Sequence, residues 1–232
     1  MKGNKRSKLS KISAIKFLSD HTYDIIKEAI VSLKLRPGER LKVAELAREL
    51  GTSATPIRET LARLEQEGLV KTIHFKGAFV AQINDQDVEE IFELRELLEG
   101  AAVKRAATTF STIDLQKGEA FLERMRMAYN TGDMGAYAKA SRDFHDLFIE
   151  KFRNQRMVSV LKTFDDQLER VRLTAIRTPE NIPLFIEDYA KILEALKAKN
   201  PRQAEKALVG HLKRARDAFS KSKGHKKLTG NS

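Results

Sequence analysis

A chain of 232 residues with 41% hydrophobic and 32% charged residues is long enough for two modest domains, each with its own core. No run approaches the ~20 apolar residues of a membrane span, and no secretory-signal pattern is read near Met1. The absence of cysteine excludes disulfides and thiolate metal sites and fits a reducing compartment, so a cytoplasmic location is expected.

The net charge of +11 lies at the two ends of the chain. Residues 1–19 carry six Lys/Arg and no acid, residues 213–232 carry seven against Asp217 alone, and the stretch between is −1. Residues 1–19 read as a basic flexible arm that adds salt-sensitive attraction to phosphates, and residues 221–232 as a solvated basic tail.

From Asp20 to Leu33, Tyr23, Ile26, Ile30 and Leu33 form one helical stripe. Arg36-Pro37-Gly38-Glu39 then predicts a turn, with proline fixing φ at its second position and glycine tolerating positive φ at its third. Val43–Leu50 reads as a short helix with Ala44, Ala47 and Leu50 on one stripe. Gly51-Thr52-Ser53 interrupts it. A second helix follows, with Ile57, Leu61 and Leu64 inward, Ser53 placed to cap it and Pro56 in its first turn. Gly68 ends this helix, and two β-type runs, Leu69–His74 and Ala78–Ile83, are joined across Phe75-Lys76-Gly77. Helix, tight turn, helix and β-ribbon make a winged helix-turn-helix over residues 20–84, a unit that puts the start of its second helix into the DNA major groove.

Beyond Asn84-Asp85 the strand signals stop and every segment reads as helix. The spacing predicts helices over Asp85–Thr109 (Val88, Ile91, Leu94, Leu98, Ala101 and Ala102 inward), Thr112–Thr131 and Asp133–Phe152 (Tyr137, Phe144, Leu147 and Phe148 inward). Three more follow, over Gln155–Arg177, from Pro179 to Lys199, and over Arg202–Ser220. Six helices with short breaks predict an antiparallel bundle over residues 85–220. The fold class is therefore mainly α, with a winged helix-turn-helix ahead of an all-α bundle.

With Ile57, Leu61 and Leu64 inward, Ser53, Ala54, Thr55, Arg58 and Thr60 are expected to face out. Arg58 is the best candidate to read a base, because a guanidinium can make two bonds to guanine O6/N7; Ser53 and Thr55 suit phosphates. The runs "LRPGERL", "ELARELGTSATPIRETLARLEQEGLV" and "KGAFV" resemble the GntR-type bacterial regulators over about residues 20–84. The resemblance implies that Thr55 and Arg58 touch DNA and that His74, Lys76 and Gly77 lie in a wing approaching the minor groove. Two positions depart from it: Ala44 and Ala54 stand where the family usually has arginine.

The runs "ELRELLEGAAVKRAA", "FHDLFIEKFRNQ" and "ILEALKAKNPRQAEKALVGHL" resemble the ligand-sensing helical domain called FCD over about residues 85–215. Many such domains hold a divalent metal with one Asp and three His, and the metal binds a carboxylate effector. Here His145 and His211 fall on two histidine positions, Ser141 stands where the Asp belongs and Tyr189 where the middle His belongs. Asp143 and Asp188 are turned about 200° and 100° away from those positions. Two imidazoles with a serine and a tyrosine make a poor metal set, so a divalent metal is disfavoured. His145 and His211 then read as hydrogen-bonded core residues or as part of a metal-free polar pocket with Ser141 and Tyr189. Arg95 is the cation expected to meet a carboxylic acid effector, with surface pairing to Glu99 the ordinary alternative.

No nucleophile, phosphate loop or HExxH supports catalysis. The expectation is a homodimeric, ligand-responsive repressor of a catabolic or organic-acid operon, bound to a palindromic operator. The competing expectation is a regulator whose bundle serves only dimerisation or a protein partner.

Overall fold

The computed structural model describes residues 14–176 and 179–228. The chain divides into two compact units, residues 1–82 and 83–232.

In the first unit α1 (Ala14–Val31) is followed by a two-residue strand, β1 (Arg40–Leu41), then α2 (Val43–Glu49), α3 (Ala54–Gln66), β2 (Val70–Ile73) and β3 (Gly77–Val80). β3 runs antiparallel between β1 and β2, so the wing is a three-stranded sheet and not the two-stranded ribbon expected. The missed strand follows the expected turn. Glu39 N–H donates to Arg36 O at 2.9 Å, and Gly38, at φ +82°, allows its own N–H to reach Val80 O.

The core of this unit is Tyr23, Ile26 and Ile30 of α1 against Ile57, Leu61 and Leu64 of α3, closed by Leu41, Leu69, Val70 and Val80. At its edge the Tyr23 hydroxyl donates to Glu67 at 2.7 Å, while the Arg63 guanidinium lies 3.6 Å from the Tyr23 ring centre. On α2 it is Val43, Leu46, Ala47 and Leu50 that pack against the core. Ala44, expected on that stripe, is exposed. α1 begins six residues earlier than the pattern suggested, because Ala14–Leu18 contains no helix breaker. The expected arm is therefore helical from Ala14; residues 1–13 lie outside the described residues.

In the second unit seven α-helices stand where six were expected: α4 (Asp85–Thr109), α5 (Thr112–Thr131), α6 (Met134–Lys151), α7 (Gln155–Lys162), α8 (Asp165–Ala175), α9 (Ile182–Lys197) and α10 (Pro201–Leu228). Each of the first four is capped by a side chain its sequence supplies. Asn84 accepts from Asp87 N–H, Ser111 and Asp114 form a reciprocal capping box, Asp133 accepts from Ala136 N–H and Asn154 from Met157 N–H. The extra helix arises at Thr163, whose hydroxyl donates to Val160 O at 2.6 Å and competes with the helical ladder. Pro179 opens a single 3-10 turn that leads into α9.

α10 runs through to Leu228, so residues 221–228 extend the last helix instead of forming a free tail. Residues 229–232 of the expected tail lie outside the described residues.

α10 packs along α4, α8 and α9, and α5 along α6 and α9. At Gly118 on α5 a Cβ would meet Leu193 Cδ1 of α9 at 2.9 Å, so α5 packs closely on α9 there and a larger residue would make the Leu193 side chain shift. The inward face of α4 is Val88, Ile91, Phe92, Arg95, Glu99, Ala102, Val103 and Ala106, with Leu94 and Ala101 exposed. The stripe is rotated from the expected one because two charged residues, Arg95 and Glu99, take inward positions.

Candidate functional site

The start of α3 presents Ser53, Thr55 and Arg58 to solvent, as a major-groove reader requires. Among the described residues no acid pairs with Arg58. Glu65, one of its possible partners, instead accepts from Thr72 N–H and from the Thr72 hydroxyl, both at 2.7 Å. Ser53 occupies the N-cap position with extended backbone, but its hydroxyl makes no capping bond.

Thr60 is a correction. It is only 1% exposed and its hydroxyl donates to Ser19 O at 3.4 Å across the contact between α1 and α3. At 100° per residue Thr60 falls about 40° from Leu64, on the core side, so it cannot reach DNA from that position. His74, Lys76 and Gly77 are exposed on the wing. The apex is Phe75, which the sequence reading left out: it is 96% exposed at φ +61°, its ring 3.9 Å from that of His74.

In the bundle the four residues nominated from α6, α9 and α10 converge. Ser141 and Tyr189 are 2.6 Å apart through their hydroxyls, Tyr189 Oη lies 3.1 Å from His145 Nε2, and the ring of His211 stacks 4.4 Å from that of Tyr189. All four are buried. Arg95, nominated to meet a carboxylate, joins them from α4; it is buried, so the alternative of a surface pair with Glu99 does not hold. Its Nε donates to Glu99, and its Nη2 lies 3.3 Å from His145 Nδ1.

Glu99 is the central residue that sequence reasoning placed on the surface. It is 1% exposed and its second carboxylate oxygen sits 2.6 Å from His145 Nδ1. Burial alone would raise the Glu99 carboxyl, but the Arg95 guanidinium and His145 outweigh it and hold it well below the usual carboxylate range. Burial pulls the His145 imidazole down to about 4 against the opposing pull of Glu99, so it is neutral at pH 7.

These protonation states orient every bond. His145 Nδ1–H donates to Glu99, so Nε2 is an acceptor; the Tyr189 hydroxyl donates to Nε2, and its oxygen accepts from Ser141. The chain of bonds Ser141, Tyr189, His145, Glu99, Arg95 closes on itself without an external group.

That closure bears on metal binding. Both nitrogens of His145 are engaged, the Glu99 carboxylate is held by a guanidinium, and among the described residues no group of three His, Cys, Asp or Glu is arranged to hold a metal ion. The donor set does not fit a divalent cation. Asp188, read as turned away, is in fact buried; it accepts from Arg214 Nε at 2.8 Å and lies 3.7 Å from His211 Nδ1. Asp143 pairs outward with Lys139 at 3.2 Å.

Beside this chain of bonds lies a cleft with a cavity volume of about 40 Å3, set in about 430 Å3 of non-atom space that includes open solvent. Its walls are Phe92, Leu168, Val171, Ile176 and Phe185, and its polar lining is Arg95, Tyr137, Ser141, His145, Arg172, Tyr189 and His211. At ~10–15 Å3 per water the cavity holds about three. Tyr137, expected simply as core, is a missed candidate: its hydroxyl is buried in this lining and has no hydrogen-bond partner among the described residues.

A winged helix-turn-helix with an outward arginine on its second helix, followed by an all-α domain, defines the class: a DNA-binding transcription regulator and not an enzyme. Comparison with known proteins gives the family. The FCD domain matches residues 90–214, and the bacterial regulatory proteins of the gntR family match residues 18–80. The chain belongs to the GntR family of transcription regulators and carries an FCD domain.

Among its relatives, a protein of Paenarthrobacter nicotinovorans named "Probable D-xylose utilization operon transcriptional repressor" is 30% identical over 203 residues, 87% of this chain and 88% of that one. The HTH-type transcriptional regulator YdhC of Bacillus subtilis is 26% identical over 82% of this chain and 85% of that one. Among solved structures, E. coli McbR/YncC shares the fold at a TM-score of 0.73 and 23% identity, over 91% of this chain and 99% of that one.

Proposed function

We propose that this regulator is a cytoplasmic repressor that binds a near-palindromic operator as a homodimer and answers to a small-molecule effector held, without metal, in the bundle cleft. The observation that carries the proposal is the convergence of Ser141, His145, Tyr189 and His211 on that cleft, lined on its other side by apolar residues. Small-molecule sites are built this way, with an apolar wall and a few convergent polar groups.

Dimerisation follows from the operator reading, since one recognition helix per chain calls for a two-fold partner. The exposed strip of Leu94, Leu97 and Ala101 on α4 offers a second copy an apolar surface, Leu97 being 72% exposed. The effector acts by favouring one arrangement of the paired heads over another, which requires different affinities for the two. A relative named for a D-xylose utilization operon supports a catabolic operon as the target.

A second reading, in which the bundle serves only dimerisation, is favoured by one observation: the buried bond chain from Ser141 to Arg95 is complete without a ligand. Selection of genomic fragments on the purified protein, followed by challenge of the bound operator with metabolites of the neighbouring genes, separates the two. The proposal requires a metabolite that both raises the melting temperature and releases the operator. A metabolite series that does neither leaves the dimerisation reading standing.

A further inference from the structure

Resting on the effector reading above, we infer that the cleft takes an uncharged, hydroxyl-bearing molecule of the sugar or polyol class, anchored by Tyr137, and not a carboxylate.

The inference starts from charge. Two cations line the cleft, and each has an acid partner. Arg95 pairs with Glu99, and Arg172 with Glu169, a carboxylate it shares with Arg142 at 2.8 Å. The imidazoles add no positive charge, because burial holds both His145 and His211 below their ordinary values. Asp188, near His211, is held by Arg214.

An arriving carboxylate would leave water and find no cation without an acid partner. At Arg95, the cation beside the bond chain, it would have to break the pair with Glu99 and leave that acid buried without its partner, a heavy cost in an apolar surround. An arriving cation fares no better, since every acid nearby is taken. An uncharged ligand avoids both penalties.

What the cleft does leave unmatched is a hydrogen bond. The Tyr137 hydroxyl lines the cleft, is buried and has no partner, while Tyr189 and Ser141 satisfy each other. Burial raises the Tyr137 hydroxyl, so it stays protonated and can both donate and accept. Nearby, His211 Nδ1 is turned towards Asp188 at 3.7 Å. Buried polar atoms without partners are uncommon, and a ligand hydroxyl is the group that suits Tyr137. The C–H face of a sugar or polyol would rest on Leu168, Val171 and Phe185.

The test uses the full-length protein and matched probes. Pentoses, hexoses and their polyols are compared by thermal shift with the sugar acids of the same skeleton, D-xylose against D-xylonate and D-glucose against D-gluconate among them. At least one uncharged probe should raise the melting temperature, and its acid should give a smaller shift or none. Tyr137→Phe should weaken that probe about tenfold while the free protein melts at the same temperature or higher, because the hydroxyl has no partner to lose.

An acid that matches or exceeds its uncharged counterpart overturns the ligand class and leaves the effector reading intact. A shift that survives undiminished in Tyr137→Phe, or a free variant that melts lower, overturns the anchoring role. No shift from any uncharged probe overturns this inference, while the effector reading stands or falls on the operator-release screen above.

Discussion

His145 and Glu99, 46 positions apart in the chain, face each other at 2.6 Å in the bundle interior, with Arg95 closing the far side of the carboxylate. A histidine placed by the family pattern on a metal position thus spends its proton on a buried acid.

The pairing makes a stability prediction. Glu99→Gln leaves the Arg95 guanidinium buried and uncompensated, and should cost about 3–5 kcal/mol in urea unfolding. The double replacement Arg95→Met with Glu99→Leu removes both charges and should cost much less than the single one. Equal costs for the two would mean that packing at Glu99, not charge, holds α4 against α6.

Two of the groups that shape the pH dependence of stability oppose each other. His145 is neutral in the folded bundle down to about pH 4, whereas an unfolded histidine takes its proton near 6.5. Between those values the unfolded chain binds more protons, so this residue lowers stability as the pH falls from 6.5 to 4. Asp146 on the same helix works the other way. Burial first, then Asp165 and Glu150, push its carboxyl up to about 6, so it gains stability as the pH falls from 6 towards 4. Asp146→Asn removes only the second contribution, and its stability should fall more steeply than that of the parent protein between pH 6.5 and 4.5. Parallel curves would show that Asp146 carries the same pKa folded and unfolded.

On the DNA-binding face, Arg58→Ala should cost about 1–3 kcal/mol at the selected operator and relax preference at one base pair per half-site, measured by competition with single-base variants. Thr60→Val should leave operator affinity and base preference untouched and change only the melting temperature, because its side chain lies between α3 and α1. Equal losses on specific and random DNA would reassign Arg58 to the phosphates.

Chelation supplies a fourth prediction. Extended dialysis against a strong chelator should alter neither the melting temperature nor operator affinity, since the neutral His145 is engaged at both nitrogens. Stoichiometric zinc, nickel or manganese in the purified protein, with destabilisation on its removal, would refute this.

By itself the sequence determined the class of the fold, the order of its elements apart from β1 and the break between α7 and α8, and the exposed start of α3. Those features are local: the Ile57, Leu61 and Leu64 spacing needs one helical period, and Asn84, Ser111, Asp133 and Asn154 announce the helix starts by their own side chains. Even Thr60 could have been placed, since its angle to Leu64 follows from 100° per residue. Tertiary structure alone decided the rest. A strand of two residues has no periodicity to detect, so β1 became visible only through its pairing with β3. A surface i, i+4 pair is the ordinary alternative for Arg95 and Glu99, because charged residues are seldom buried; the bundle had to close over them before burial and His145 gave them another role. Whether a polar atom is satisfied depends on every side chain around it. That is why the bonded hydroxyl of Tyr189 and the partnerless one of Tyr137, alike in sequence as inward tyrosines, differ in the folded chain.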